Sequence, residues 1–279
     1  MDTLKKTYHN IRTLVDGFAH STSSMHSTLQ KDEEECVKPW YAEKVNNYIG
    51  NLLDNALSKT CLRKIADAYY GTQLVEILMG STELTSDAYP TLSAIYDTCG
   101  NRLGFNKLPK LYITGLLQGI NALSLDIKQQ RFILLSRMAT ILLSEQELLF
   151  VLGHELGHHQ QGNLVCHTVN GLLDSVGNSS EIFGPLLADT FEVPMKRWCR
   201  QSEFNADRAG YICCGDIECI ETLFDKIYES PVRSGYASLA EMYADHPFIQ
   251  TRLDRIRMFC ESMELGSTTK TEKLCGIHI

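Results

Sequence analysis

No run of about 18 uncharged apolar residues occurs in the 279-residue chain, so no transmembrane helix is expected. The nearest candidate, GLLDSVGNSSEIFGPLLADTFEV from Gly171 to Val193, is interrupted by Asp174, Glu181, Asp189 and Glu192. Peripheral contact with a membrane or another protein is open to segment 171–193, but spanning is not. An excess of basic charge is also missing: 26 Lys and Arg face 34 Asp and Glu, a net charge of −8. That argues against nucleic acid as a partner, because phosphate recognition needs a basic footprint. The N-terminus, MDTLKKTYHNIRTLVDGFAHSTSS, is broken by charge and polarity and does not read as a secretory leader. No CxxC pair occurs among the ten cysteines, which leaves a cysteine-based zinc finger without support. Cysteines this scattered read as reduced, packed thiols, and a cytoplasmic location is expected.

What is present is an ordinary globular balance, 44% hydrophobic and 22% charged. Residues 1–35 are polar and carry the charge run DEEE, so a loosely docked start to an N-terminal helical region (1–85) is expected. From Trp40 to Met79 apolar residues recur at spacings of three and four. A loop over 80–91 precedes a helix from Leu92 to Arg102. LYIT (111–114), INALSLDI (120–127) and RFILLS (131–136) read as three strands of a small sheet. After Leu143 the helical period returns. The expected fold class is α+β: a mostly helical catalytic domain, 86–279, with a small three-stranded sheet.

Residues 154–158 read HELGH. On a helix, positions i and i+4 lie one turn apart on one face, so His154 and His158 can present two imidazoles to one tetrahedral metal. Glu155 is turned by about 100° from His154, away from the ligand position and toward a metal-bound water. The motif sits in a well-delimited helix. Ser144 and Glu147 form a capping box, Leu148, Leu149, Leu152 and Leu156 form an apolar stripe, and Gly162 stands at the C-cap position.

Two histidines leave a catalytic zinc site short of a third ligand. SEFNADRAG (202–210) offers one. Glu203 and Asp207 share a helix face, with Glu203 as ligand and Asp207 as hydrogen-bond acceptor for a ligand histidine. Small Ala206 and Gly210 would let this helix approach the HELGH helix closely. A solvated acidic face is the alternative reading of the two carboxylates.

HELGH followed by SEFNADRAG resembles the HtpX-like and CAAX-prenyl-protease-like metallopeptidases, peptidase family forty-eight, which are gluzincins. INALSLDI, RFILLS and LLSEQELLFVLGHELGHHQQGN are similar to the family's edge strand, next strand and active-site helix, and DHPFIQTRLDRI to its His-Pro segment. The resemblance covers about residues 90–260. It implies a zincin-like fold and one Zn2+ per chain on His154, His158 and Glu203. It implies a metalloendopeptidase in which zinc-activated water attacks the peptide bond, with Glu155 as general base. It also implies that the strand around Asn121, Ala122 and Leu123 pairs with a peptide or unfolded-protein substrate; an ordinary core strand is the alternative. His246, in the His-Pro segment, is the expected oxyanion donor. A helix-capping turn residue is its alternative, and Tyr243 is a second donor candidate. Arg252 reads either as a partner of a site carboxylate or as a surface charge. His159 is expected to face solvent, and Cys36, Cys166, Cys213 and Cys214 to be packed thiols. The competing function is a zinc-containing, chaperone-like binding module with little or no turnover.

Overall fold

The apolar runs between residues 110 and 136 decide the centre of the molecule. In the computed structural model, which describes residues 39–43, 74–127, 130–161, 164, 193–229 and 249–275, they form a mixed sheet. The elements are α1 (Leu74–Met79), β1 (Ser81–Glu83), α2 (Pro90–Leu103), β2 (Lys110–Thr114), β3 (Ala122–Ile127), β4 (Gln130–Ser136), α3 (Arg137–Leu142), α4 (Glu145–Gln161), α5 (Val193–Cys214), α6 (Ile217–Glu229) and α7 (Ile249–Cys275). The strand order is β1-β2-β4-β3, with β2 and β4 parallel and the other pairs antiparallel. The α+β class therefore holds.

The sheet has four strands where the sequence predicts three. The extra strand, β1, lies in the Ser- and Thr-rich stretch expected to be a loop. Its three residues, Ser-Thr-Glu, carry no apolar alternation, and it exists through backbone pairing with Tyr112–Thr114 of β2. Helix α3 was not expected either. Ser136 ends β4 and caps this helix, its hydroxyl accepting from the Ala139 N–H at 3.0 Å. Trp40 and Tyr41 lie in a turn, not in the expected helix. Residues 44–73, most of Gly171–Val193, and Gly162, Tyr243 and His246 fall outside the described residues.

Alternation along the strands sorts side chains onto two cores. Leu111, Ile113, Ala122, Ile133 and Leu135 face α2 and α4, packing with Ile95, Leu148, Leu152 and Leu156. Leu123, Leu125, Ile127, Phe132 and Leu134 fill the opposite face with Leu117 and Ile77 of α1. The central β4 is buried on both faces, which is why its sequence is a continuous apolar run. Among the described residues, no helix is long and apolar enough to cross a membrane.

The capping box forms as predicted. The Ser144 N–H donates to Glu147 Oε2 at 2.7 Å, and the Glu147 N–H donates to Ser144 Oγ at 3.3 Å. Lys226 of α6 adds an ion pair to Glu147 at 2.7 Å.

Helices α4 and α5 approach through small residues on both sides. A Cβ on Gly157 would lie 2.7 Å from Ala209 Cβ and 3.0 Å from Ala206 Cα, and one on Gly153 would lie 2.6 Å from Cys213 Cβ. Ala206 thus packs as expected, although its partner is the glycine inside HELGH. Gly210 also packs on α4 as expected, where a Cβ would lie 2.8 Å from the Phe150 ring and 2.9 Å from the Phe150 carbonyl oxygen. Gly157→Val is expected to push α5 off α4, costing about 1–3 kcal/mol of stability, the usual range for overpacking. Urea unfolding checks this, and an unchanged midpoint would contradict the close contact.

Candidate metal centre

Helix α4 carries His154, Glu155 and His158 on buried faces, and α5 brings buried Glu203 and Asp207 against them. The three predicted ligands converge. One ligand atom each from His154, His158 and Glu203 lies within 4.8 Å of the others, the one such group among the described residues. His154 Nε2 is 3.1 Å from His158 Nε2 and 3.5 Å from Glu203 Oε2, and His158 Nε2 is 3.2 Å from Glu203 Oε1. Ligands at about 2.0–2.1 Å around tetrahedral zinc would sit about 3.3–3.4 Å apart, so these spacings fit that ion. The donor set of two imidazoles and one carboxylate fits it too.

Asp207 takes the supporting role expected of it. Its Oδ1 lies 3.0 Å from His154 Nδ1, and it is fully buried. Arg252 of α7 grips the same carboxylate, Nε to Oδ2 at 2.9 Å and Nη2 to Oδ1 at 2.5 Å, so the pairing reading of Arg252 is the one realised. Its guanidinium also lies over the Phe224 ring, 4.8 Å from the centroid. Burial pushes the Asp207 pKa up, but the charge and hydrogen bonds of Arg252 outweigh this and hold it below the usual carboxylate range. An ionised Asp207 takes its hydrogen bond from His154 Nδ1–H, which leaves the Nε2 lone pair for a metal. Burial opposes protonation of His154, but hydrogen bonds and charges from Asp207 and Glu203 win and push its pKa up to about 10.

Glu155 is buried, and its Oε2 has no hydrogen-bond partner among the described residues. Its backbone carbonyl accepts from Ser124 Oγ of β3 at 3.0 Å, which fixes the edge strand against the active-site helix. Of the three expected substrate contacts, Ala122 and Leu123 lie in β3. Asn121 lies just before it, exchanging hydrogen bonds with Ser136: its N–H to the hydroxyl at 3.1 Å, its carbonyl from the N–H at 2.9 Å.

His159 corrects an expectation. It is buried, not solvent-facing, because the sheet covers that side of α4. Burial is the main cause pulling its pKa down to about 3, reinforced by Arg131 and His158 and opposed by the Phe132 backbone. Helix periodicity shows that it leaves the His158 face but cannot say what lies on the other one.

Ser202 was missed: its hydroxyl is 3.4 Å from His158 Nδ1, a supporting partner for the second ligand. Its only signal was a place beside Glu203. Cys213 and Cys214 are packed thiols, as expected, buried at the end of α5.

Two imidazoles and a carboxylate meet on close-packed helices, a donor set that could hold a metal ion. The profile of peptidase family M48 matches residues 90–259, more than half of the chain, and the chain belongs to that family of metallopeptidases. It is 32% identical over 108 residues to the plastoglobule-localized metallopeptidase 48 of Arabidopsis thaliana, a match covering 38% of this chain and 31% of that protein. To a protease HtpX homolog of Ralstonia nicotianae it is 21% identical over 236 residues, 67% of this chain and 80% of the relative. To one of Ralstonia pickettii it is 20% identical over 242 residues, 70% and 82%. The chain thus spans about a third of the Arabidopsis protein and about four-fifths of the HtpX homologs.

Proposed function

We propose that the chain is a zinc-dependent metalloendopeptidase holding one Zn2+ on His154, His158 and Glu203. The observation that carries this is the convergence of those three ligand atoms, with buried Glu155 next to His154 on the same helix. When bound, zinc supplies Lewis acidity, lowering the pKa of water to about 7 and polarising the scissile carbonyl. Glu155 Oε2 accepts the proton of the attacking water and later delivers it to the leaving amine. Asp207, itself held by Arg252, keeps the His154 ring in one tautomer and orientation. Strand β3 is one of the two outer strands of the sheet, and it is assigned to pairing with an extended peptide through backbone hydrogen bonds near Ala122 and Leu123.

His246 is the donor assigned to the tetrahedral oxyanion. His246→Phe is expected to keep zinc and the folded state, lower turnover by about 10²–10³-fold and leave KM nearly unchanged. Retained turnover with zinc bound would remove His246 from the catalytic set.

Zinc content per chain and cleavage of casein or a peptide library, with and without a chelator, test the whole reading. Chelator-sensitive cleavage by a chain holding one zinc is the expected result. Stoichiometric zinc with no cleavage would leave a binding module in its place.

A further inference from the structure

Five residues far from the HELGH motif in sequence lie across both helices that carry the ligands. Pro39–Glu43 runs over the back of α5, closed by a turn in which the Ala42 N–H donates to the Pro39 carbonyl at 3.0 Å. Asn205 of α5 reads the backbone of this segment on both sides of one residue. Its Oδ1 accepts from the Glu43 N–H at 2.9 Å, and its Nδ2 donates to the Glu43 carbonyl at 3.4 Å. Arg208 donates to the Tyr41 carbonyl at 3.0 Å and also grips the Glu43 carboxylate. Gln201 donates to the other Glu43 oxygen at 3.1 Å, and Arg255 of α7 approaches it at 3.6 Å. Tyr41 is buried with Ala209 and Phe259, and its hydroxyl donates to Gln160 of α4 at 2.7 Å.

These contacts are those of peptide recognition: an amide reading the backbone, an aromatic pocket, and cations for an acidic side chain. Their placement on α5 matters. Gln201, Asn205 and Arg208 are spaced i, i+4, i+7 and form one stripe. Glu203 and Asp207 are each turned by about 160–200° from Asn205, so the two carboxylates leave the opposite side of the same helix. Asn205 stands midway between them in sequence, and Gln160 lies two residues beyond His158. The segment therefore braces the ligand helix from behind and pins the end of the other.

We propose that the back of α5, with α7 and the end of α4, is a peptide-binding groove occupied in cis by Pro39–Glu43, and that its occupancy sets the affinity of the metal centre for zinc. The groove takes a segment folded in a single turn, with a buried tyrosine and, two residues later, a glutamate. The residues act by positioning, since none of them touches the ligand atoms. The linkage to zinc rests on the zinc reading given above.

The test uses the full chain carrying Tyr41→Ala with Glu43→Ala, and a synthetic peptide of residues 37–45, VKPWYAEKV. Zinc affinity is measured by competition with a chromophoric chelator, and peptide capture by fluorescence anisotropy. The double variant is expected to bind zinc about 10-fold or more weakly, the scale of losing support around metal ligands. Added peptide is expected to bind the variant and restore its zinc affinity, while the same peptide with Glu43→Ala does neither. If circular dichroism shows the double variant unfolded, Glu43→Gln keeps the size and removes only the charge, and the same loss and rescue are expected of it. Unchanged zinc affinity in a folded variant overturns the linkage, even if its melting temperature falls. Absence of peptide capture overturns the groove. A wild-type chain that takes up no zinc overturns the metal reading and the linkage with it, and peptide capture still decides the groove separately.

Discussion

Glu155→Gln is expected to leave zinc bound and the chain folded while lowering peptide hydrolysis by about 10²–10⁴-fold, the range for losing a general base. Glutamine matches glutamate in size, so the buried space that the Glu155 side chain fills stays filled. The three ligand residues are untouched, and Asp207 still holds His154. What disappears is the ability of Oε2 to take a proton, an oxygen that is buried and without a hydrogen-bond partner among the described residues. Zinc per chain, unfolding midpoint and initial rate on one preparation check the result. Wild-type hydrolysis by a fully zinc-loaded variant would take Glu155 out of the chemistry.

Glu203→Ala is expected to abolish stable zinc binding, with affinity down by more than about 100-fold, beyond the range typical of a supporting residue. Glu203 supplies a carboxylate within reach of both His154 Nε2 and His158 Nε2. Removing it leaves two imidazoles facing each other at 3.1 Å and takes away the carboxylate that meets both of them. Metal content after dialysis separates the possibilities. One zinc per chain retained by the variant would mean that another residue completes the site. Loss of metal together with a cooperative unfolding transition would place Glu203 in the coordination sphere and not in the fold.

The candidate metal centre was legible because the chemistry it would serve has a fixed geometry. HELGH needs only helix periodicity to put His154 and His158 on one face, and a capping box and apolar stripe mark the helix. Glu203 and Asp207 needed one further step, a second helix whose small residues allow close approach. The strands from 110 to 136 were legible from their apolar runs. Strand β1 was not, since three polar residues pair through their backbone alone. His159 was misread because a helix wheel separates faces without saying which of them a sheet will cover.

By itself, then, the sequence determined the candidate ligand types, their spacing along each helix and the α+β class, because these follow from local periodicity and donor chemistry. The tertiary structure decided everything that depends on distance between segments remote in the chain. Gly157 against Ala206 and Ala209 brings Glu203 to the histidines. Arg252 reaches Asp207 across 45 residues, and Glu43 reaches Asn205 across 162. Such contacts depend on how helices pack, and packing is set by the whole surface each helix buries, which no local pattern of residues encodes.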